Sequence, residues 1–155
     1  NFAWRESHFG QNYWVVRKGC TPAFPKQLGF IGSNMMDYSV IVEGVESEES
    51  KQGLYSTVHG AGRIMSRTEA AGKSKWKNGQ KIKVSEGKIN FDEVKEQMKI
   101  KKVELRGAGA DEAPNAYKKL SEVLDYHKGT IEIKHYLVPI GVCMAGNETF
   151  DPYKD

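Results

Sequence analysis

The chain has 155 residues, 39% of them hydrophobic and 10% aromatic, which is one domain's worth of chain with enough apolar material for a core and excludes a disordered segment. Twenty-three Lys and Arg oppose twenty Asp and Glu, and the formal charge of +3 suits a polyanionic partner without demanding one. No stretch approaches the roughly 18 apolar residues of a membrane helix, and no charged start precedes an apolar run, so neither a span nor a signal peptide is expected.

The chain opens Asn1-Phe2-Ala3-Trp4-Arg5-Glu6, without an initiator Met, and reads as a fragment of something larger. Its first half is strand-like. Tyr13–Val16, Leu28–Ile31 and Ser39–Val42 are β-branched or aromatic runs closed by Gly or Lys-Gly. Cys20 and Cys143 lie far apart with no CxxC spacing, which is the usage of reduced thiols in a cytoplasmic protein. Pro22, Pro25 and Gly29 predict a loop after Cys20. Beyond His59 the pattern turns helical: Arg63–Ala71 carries Ile64, Met65 and Thr68 at helical spacing and ends at Gly72.

From Lys73 to Lys83 the run Lys-Ser-Lys-Trp-Lys-Asn-Gly-Gln-Lys-Ile-Lys has a composition that could grip a phosphate backbone and stack a base, but the favoured reading is a solvated surface loop. Asn90, three residues ahead of Glu93, predicts the capped start of a helix reaching about Lys101. A further helix is expected from Pro114 to Tyr126, with Ala116, Leu120, Val123 and Leu124 as its apolar stripe. The last expected strand is Thr130–Val138, where Ile131, Ile133 and His135 alternate with Glu132 and Lys134. No internal repeat is visible, and strands early and late around central helices predict an α+β fold.

The chemistry concentrates at His59-Gly60-Ala61-Gly62-Arg63, an imidazole beside two glycines and a guanidinium at the expected mouth of a helix. Glycines let backbone N–H groups approach a phosphate, a helix N-terminus adds positive potential, and Arg63 and Arg67 would lie one turn apart. A neutral imidazole attacks phosphorus when cations neutralise the phosphate oxygens, so phosphoryl or nucleotidyl transfer is one reading. The other is a glycine turn whose His caps the helix.

The segment Ser56-Thr57-Val58-His59-Gly60-Ala61-Gly62-Arg63-Ile64-Met65-Ser66-Arg67 resembles the signature of the RtcB family of RNA ligases. Asn1-Phe2 resembles the end of that family's His-His-Asn-Phe motif, Arg17-Lys18-Gly19 its Arg-Lys-Gly-Ala turn, and Ala116-Tyr117-Lys118 its Ala-Tyr-Lys segment, all in family order. The resemblance implies an RtcB-like α+β fold of mixed sheets with flanking helices, with this chain as the C-terminal, guanylate-binding part of a larger catalytic domain. It implies an enzyme of tRNA splicing and RNA repair that joins an RNA 3′-phosphate or 2′,3′-cyclic phosphate end to a 5′-hydroxyl end, using GTP and manganese, with tRNA halves or broken RNAs as partners. His59 would carry GMP covalently. Gly60, Ala61, Gly62, Arg63 and Lys18 would hold phosphates, and Ser39, Tyr117 and the penultimate Lys154 would face the guanine.

The family's Gly-Ser-Met-Gly turn appears as Ser33-Asn34-Met35-Met36, putting Asn34 where a guanine-contacting serine would stand and Met36 where a permissive glycine would. The family's manganese ligands lie upstream of Asn1, so no metal ligand is expected in this chain, and alone it should be inactive without the N-terminal portion. His8, His127 and His135 form no sequence-close metal set, and Asp92, Glu93, Asp111 and Glu112 read as helix-end or loop charges. Two other readings compete: a non-catalytic RNA- or nucleotide-binding module, which predicts binding without covalent guanylate, and a metal-dependent phosphoesterase, which needs a carboxylate and His cluster.

Overall fold

Alternation along Gln-Asn-Tyr-Trp-Val-Val-Arg puts Val15 and Arg17 on one side of a strand and Trp14 and Val16 on the other. In the computed structural model, which describes residues 2–78 and 80–146, the first pair is buried and the second exposed. In chain order the strands are β1 (Phe2–His8), β2 (Gln11–Arg17), β3 (Cys20–Pro22), β4 (Leu28–Ile31), β5 (Ser39–Gly44), β6 (Ser56–Val58), β7 (Ser74–Lys77), β8 (Gln80–Lys83), β9 (Glu104–Ala108), β10 (Ile131–Leu137) and β11 (Gly141–Gly146). The helices are α1 (Glu48–Gln52), α2 (Arg67–Ala71), α3 (Phe91–Ile100) and α4 (Leu120–Asp125). Small sheets and short helices mix, with more strand than the sequence suggests.

The chain forms two compact units, one of Asn1–Ser33, Tyr38–Gly62 and Lys119–Val138, the other of Asn34–Asp37, Arg63–Lys118 and the chain from Pro139. In the first unit β1 and β2 form an antiparallel ribbon, β3 pairs antiparallel with β6, and β10, β5 and β4 make an antiparallel sheet in that order. The β1–β2 turn is Phe9-Gly10, both left-handed at φ 51° and 74°, the geometry that matches the twist of a two-residue hairpin. Ile31, Val40, Val42, Leu120, Leu124 and Ile131 close the core, each fully buried aliphatic side chain contributing about 1.5–3 kcal/mol. The alternation expected in Thr130–Val138 is broken by a register shift between Ile133 and His135, after which the side chains are exposed.

In the second unit β9 and β11 pair in parallel and β7 and β8 form an antiparallel hairpin. Helix α3 starts where Asn90 predicts. The Asn90 side chain accepts from the Asp92 N–H at 3.1 Å and donates to Glu93 at 2.9 Å, a variant of the capping box in which the glutamate takes the cap's side-chain amide. Its buried face, Val94 and Met98, joins Met35, Val103, Ala108 and Ala113 in this unit's core.

Several expectations change. The helix predicted over Arg63–Ala71 is only Arg67–Ala71, capped by Ser66, whose hydroxyl accepts from the Glu69 N–H. Arg63 is instead paired with Tyr117 in an isolated bridge, and Ile64 N–H donates to Ala116 O at 2.9 Å. The same bridge splits the helix predicted from Pro114 to Tyr126 into a 3₁₀ turn, Pro114–Ala116, and α4, because Tyr117 is extended at φ −119° and ψ 155°. The lysine-rich run is an ordered hairpin and not a loop, and the connector after Cys20 begins as a strand. Met36 does not take up the left-handed backbone that its glycine counterpart suggests; it packs on the second unit's core. Cys20 and Cys143 are free thiols. Among the described residues no helix is long and apolar enough to cross a membrane.

Candidate active site

His59 is the first residue beyond β6, whose register with β3 runs Cys20↔Val58, Thr21↔Thr57 and Pro22↔Ser56. Its backbone is held by Gly32: Gly32 N–H donates to His59 O at 3.2 Å and Ala61 N–H donates to Gly32 O at 3.1 Å. The imidazole is exposed. Each residue of the following Gly-Ala-Gly has a separate reason to be there. A Cβ on Gly60 would stand 3.3 Å from Gly32 O, Ala61 is buried in the core, and Gly62 is left-handed at φ 75°. The turn is therefore fixed by backbone pairing, and the helix N-terminus expected to begin at Arg63 is not what supports it: α2 starts eight residues after His59, at Arg67.

The strand registers bring two more sequence-predicted residues to this end of the first unit. Because Cys20 is opposite Val58, the exposed Lys18 and Gly19 lie at the same end of the β3–β6 pair as His59. Because Ile31 is opposite Val40, Ser39 begins β5 at the end where Gly32 leaves β4. Sequence reasoning missed the residue that anchors the Lys18 turn. Arg17 is buried, with Nε donating to Ser56 Oγ at 3.0 Å and Nη2 donating to Leu54 O and to Glu6 Oε2, both at 2.9 Å. Nη1 donates to the other Glu6 oxygen, and the guanidinium lies 5.9 Å from the Phe24 ring centroid. Arg17 thus ties β2 to the segment leading into β6 and His59. Its signal was the alternation that buries Val15, which carries Arg17 inward with it. Glu6 also receives hydrogen bonds from His8, at 2.7 Å, and Trp4, and Arg17 foremost holds its carboxyl down to about 2.

In the second unit the predicted residues Arg63 and Tyr117 meet. Arg63 Nη1 donates to the Tyr117 hydroxyl at 2.9 Å, its guanidinium carbon lies 4.8 Å from that ring's centroid, and Nε and Nη2 donate to Met65 O at 3.1 Å and Asp111 O at 2.5 Å. The Tyr117 hydroxyl donates to Glu112, and burial, followed by that carboxylate, pushes its pKa up. Glu112 also pairs with Arg67 at 2.7 Å and lies 3.6 Å from Arg63. Asp111 and Glu112, expected to be helix-end or loop charges, close the 3₁₀ turn Ala110–Glu112 and are the counter-charges of the arginine pair. Asn34 turns its side-chain oxygen to its own loop, accepting from the N–H groups of Met36 and Asp37 at 3.0 and 3.1 Å.

Lys154 and Asn1 lie outside the described residues. Of the other histidines, His8 belongs to the Glu6 cluster, His135 is exposed on β10, and His127 approaches Thr57 Oγ1 at 3.5 Å, burial lowering its pKa. Among the described residues no group of three or more His, Cys, Asp or Glu side chains is placed to hold a metal ion.

An exposed imidazole on a backbone-pinned glycine turn and a guanidinium pair gathered around Glu112 are both suited to phosphate chemistry. The chain belongs to the RtcB family: the model of the tRNA-splicing ligase RtcB matches residues 1–145. It is 34% identical over 146 residues to the RNA-splicing ligase RtcB of Escherichia coli (strain K12), covering 94% of this chain and 31% of that protein. It is 35% identical over 146 residues to the RNA-splicing ligase RtcB homolog 1 of Entamoeba histolytica, covering 81% and 25%. With the tRNA-splicing ligase RtcB of Methanocaldococcus jannaschii the identity is 32% over 161 residues, covering 92% and 15%. The chain thus spans a third or less of the length of these relatives.

Proposed function

We propose that this chain carries the guanylate-accepting part of a GTP-dependent RNA ligase that joins 3′-phosphate or 2′,3′-cyclic phosphate ends to 5′-hydroxyl ends. The observation that carries the reading is His59 itself, an exposed imidazole whose backbone is pinned by Gly32 within a chain of the RtcB family. A ring nitrogen of His59 attacks the α-phosphorus of GTP. The bond to the β-phosphate oxygen breaks, and pyrophosphate leaves. An oxygen of the RNA 3′-phosphate then displaces His59 from the phosphorus, which activates that end with GMP. The 5′-hydroxyl of the second RNA attacks the activated phosphate, GMP departs and the hydroxyl proton is lost. A cyclic end must first be opened by water. Guanylylation is the physical point of the sequence, because a phosphate monoester otherwise offers a poor leaving group.

The residues that the resemblance assigns to the nucleotide are Lys18, Asn34, Ser39, Gly60, Ala61, Gly62, Arg63, Tyr117 and Lys154. Arg63 suits a phosphate because hydrogen bonds to neutral oxygens orient its guanidinium, while its counter-charge, the Glu112 carboxylate 3.6 Å away, is one that a phosphate would displace. Manganese would neutralise phosphate oxygens and align pyrophosphate for departure, and the resemblance assigns its ligands to a portion N-terminal to Asn1. Alone, this chain is then inactive or nearly so.

The test is incubation with α-labelled GTP and manganese, with and without the N-terminal portion of a relative, followed by a denaturing gel and acid treatment. Acid-labile label that disappears in His59→Ala supports the reading. Folded protein that takes no label under either condition removes the covalent step and leaves a nucleotide- or RNA-binding module.

A further inference from the structure

The lysine-rich segment has a structure that the site chemistry does not use. β7 and β8 pair with Ser74↔Lys83, Lys75↔Ile82, Trp76↔Lys81 and Lys77↔Gln80, an antiparallel ribbon whose β7 residues are all exposed. Its base is pinched shut by two glycines. Gly72, left-handed at φ 84°, and Gly87 approach backbone so closely that a Cβ would stand 2.1 Å from Ser85 O and 2.2 Å from Ala70 O respectively. Lys73 O accepts from Val84 N–H at 2.7 Å and Ser85 N–H at 3.2 Å, while Lys88 and Ile89 N–H groups donate to Glu69 O and Ala70 O at 2.9 and 3.1 Å. The ribbon is therefore an arm tied to the end of α2, so its side chains are presented from an ordered base.

The arm also holds the chain's positive charge. Residues 73–88 contain six lysines and one glutamate, a net +5, against +3 for the whole chain, so everything outside the arm is negative by two. Lys83 is paired with Glu86, and Lys88 with Glu69 at 2.5 Å. Among the described residues Lys73, Lys75 and Lys77 enter no salt bridge, and their charge faces solvent. Lys75 and Lys77 share one face of the strand, about 7 Å apart by strand geometry, and Trp76 on the other face is 40% exposed. A row of uncompensated cations beside an exposed aromatic ring complements a polyanion that carries unstacked bases.

We propose that the β7–β8 arm is a holding surface for single-stranded RNA, with Lys73, Lys75 and Lys77 on the phosphates and Trp76 against a base. This rests on the ligase reading for the identity of the polyanion but uses none of the residues assigned to guanylate transfer. The arm adds affinity and salt dependence for the RNA and leaves the guanylylation of His59 untouched.

The experiment measures binding of a labelled, 3′-phosphorylated single-stranded RNA to the chain across a salt series. Wild type is compared with a Lys73→Gln, Lys75→Gln, Lys77→Gln triple variant, a triple variant with Arg at the same positions, and Trp76→Ala. The expected result is about a tenfold or greater loss of affinity in the Gln variant, with the slope of log K against log salt smaller by about 2, at ~0.7 for each phosphate that is no longer neutralised, and near wild-type behaviour in the Arg variant. Trp76→Ala is expected to lose affinity without changing the slope. Unchanged affinity and slope in a folded Gln variant overturns the proposal, as does a variant that loses binding to phosphatidylserine vesicles while keeping RNA binding. Labelling of His59 in the presence of the N-terminal portion of a relative is read in parallel, so a failed ligase reading shows as absent label and a failed arm as label present with RNA affinity unmoved.

Discussion

Two arginine–glutamate pairs show how burial assigns different work to the same chemistry. In the Arg17–Glu6 pair the side chains are 1% and 7% exposed, and each guanidinium nitrogen is bonded to a fixed protein oxygen. In the Arg67–Glu112 pair they are 41% and 14% exposed, and the arginine faces two carboxylates, Glu112 at 2.7 Å and Asp111 at 3.8 Å. A buried ion pair has already lost its water and cannot exchange partners without a large penalty, so Arg17 is a tether. A half-exposed pair contributes little to stability, and its carboxylates can be displaced by a stronger anion.

The comparison breaks if Arg17→Ala is tolerated. Leaving Glu6 buried without its partner should cost about 3–5 kcal/mol, read as a large fall in the urea midpoint, whereas Arg67→Ala should cost less than about 1 kcal/mol. The acid limb of stability gives the next largest effect. Glu6 is depressed from 4.5 to about 2, so the folded state binds its proton more weakly than the unfolded state. Its contribution is fully present above pH 4.5 and is lost as pH falls towards 2, a loss of about 3 kcal/mol that Glu6→Gln should remove from the pH profile of unfolding. The smallest effect sharpens the other side. Glu112→Gln should shift stability by less than about 1 kcal/mol but raise affinity for inorganic phosphate a few-fold, measured by calorimetry, because Arg67 loses its nearest competing anion. Weaker phosphate binding would mean that Glu112 orients the arginine and does not compete for it.

What was legible in the sequence is local. The cap of α3 needs only Asn90 and its next three residues, and β4 and β5 show in their own β-branched runs. The hairpin of the lysine-rich arm, expected as a loop, had a local signal that went unread: Asn78-Gly79 is a strong two-residue turn pair, and Asn78 is left-handed at φ 52° between the paired Lys77 and Gln80. Phe9-Gly10 carries a weaker signal, because Phe seldom adopts φ 51°, and β1 went unread with it. The parallel pair of β9 and β11 depends on residues more than thirty apart and leaves no periodic trace in either strand.

At the candidate site the division is sharpest. The sequence by itself determined the chemical groups and the glycine positions, and His59 and Arg63 stand out as a candidate nucleophile and anion binder before any fold is known, with Tyr117 added only by the resemblance. Only the tertiary structure decided how they are held. Arg63 sits in a run of good helix formers, yet its backbone pairs with Tyr117, and hydrogen bonds to Ala116 and Asp111 hold the segment out of a helix. A helical preference of a few tenths of a kcal/mol per residue cannot compete with a set of long-range hydrogen bonds worth about 1 kcal/mol each.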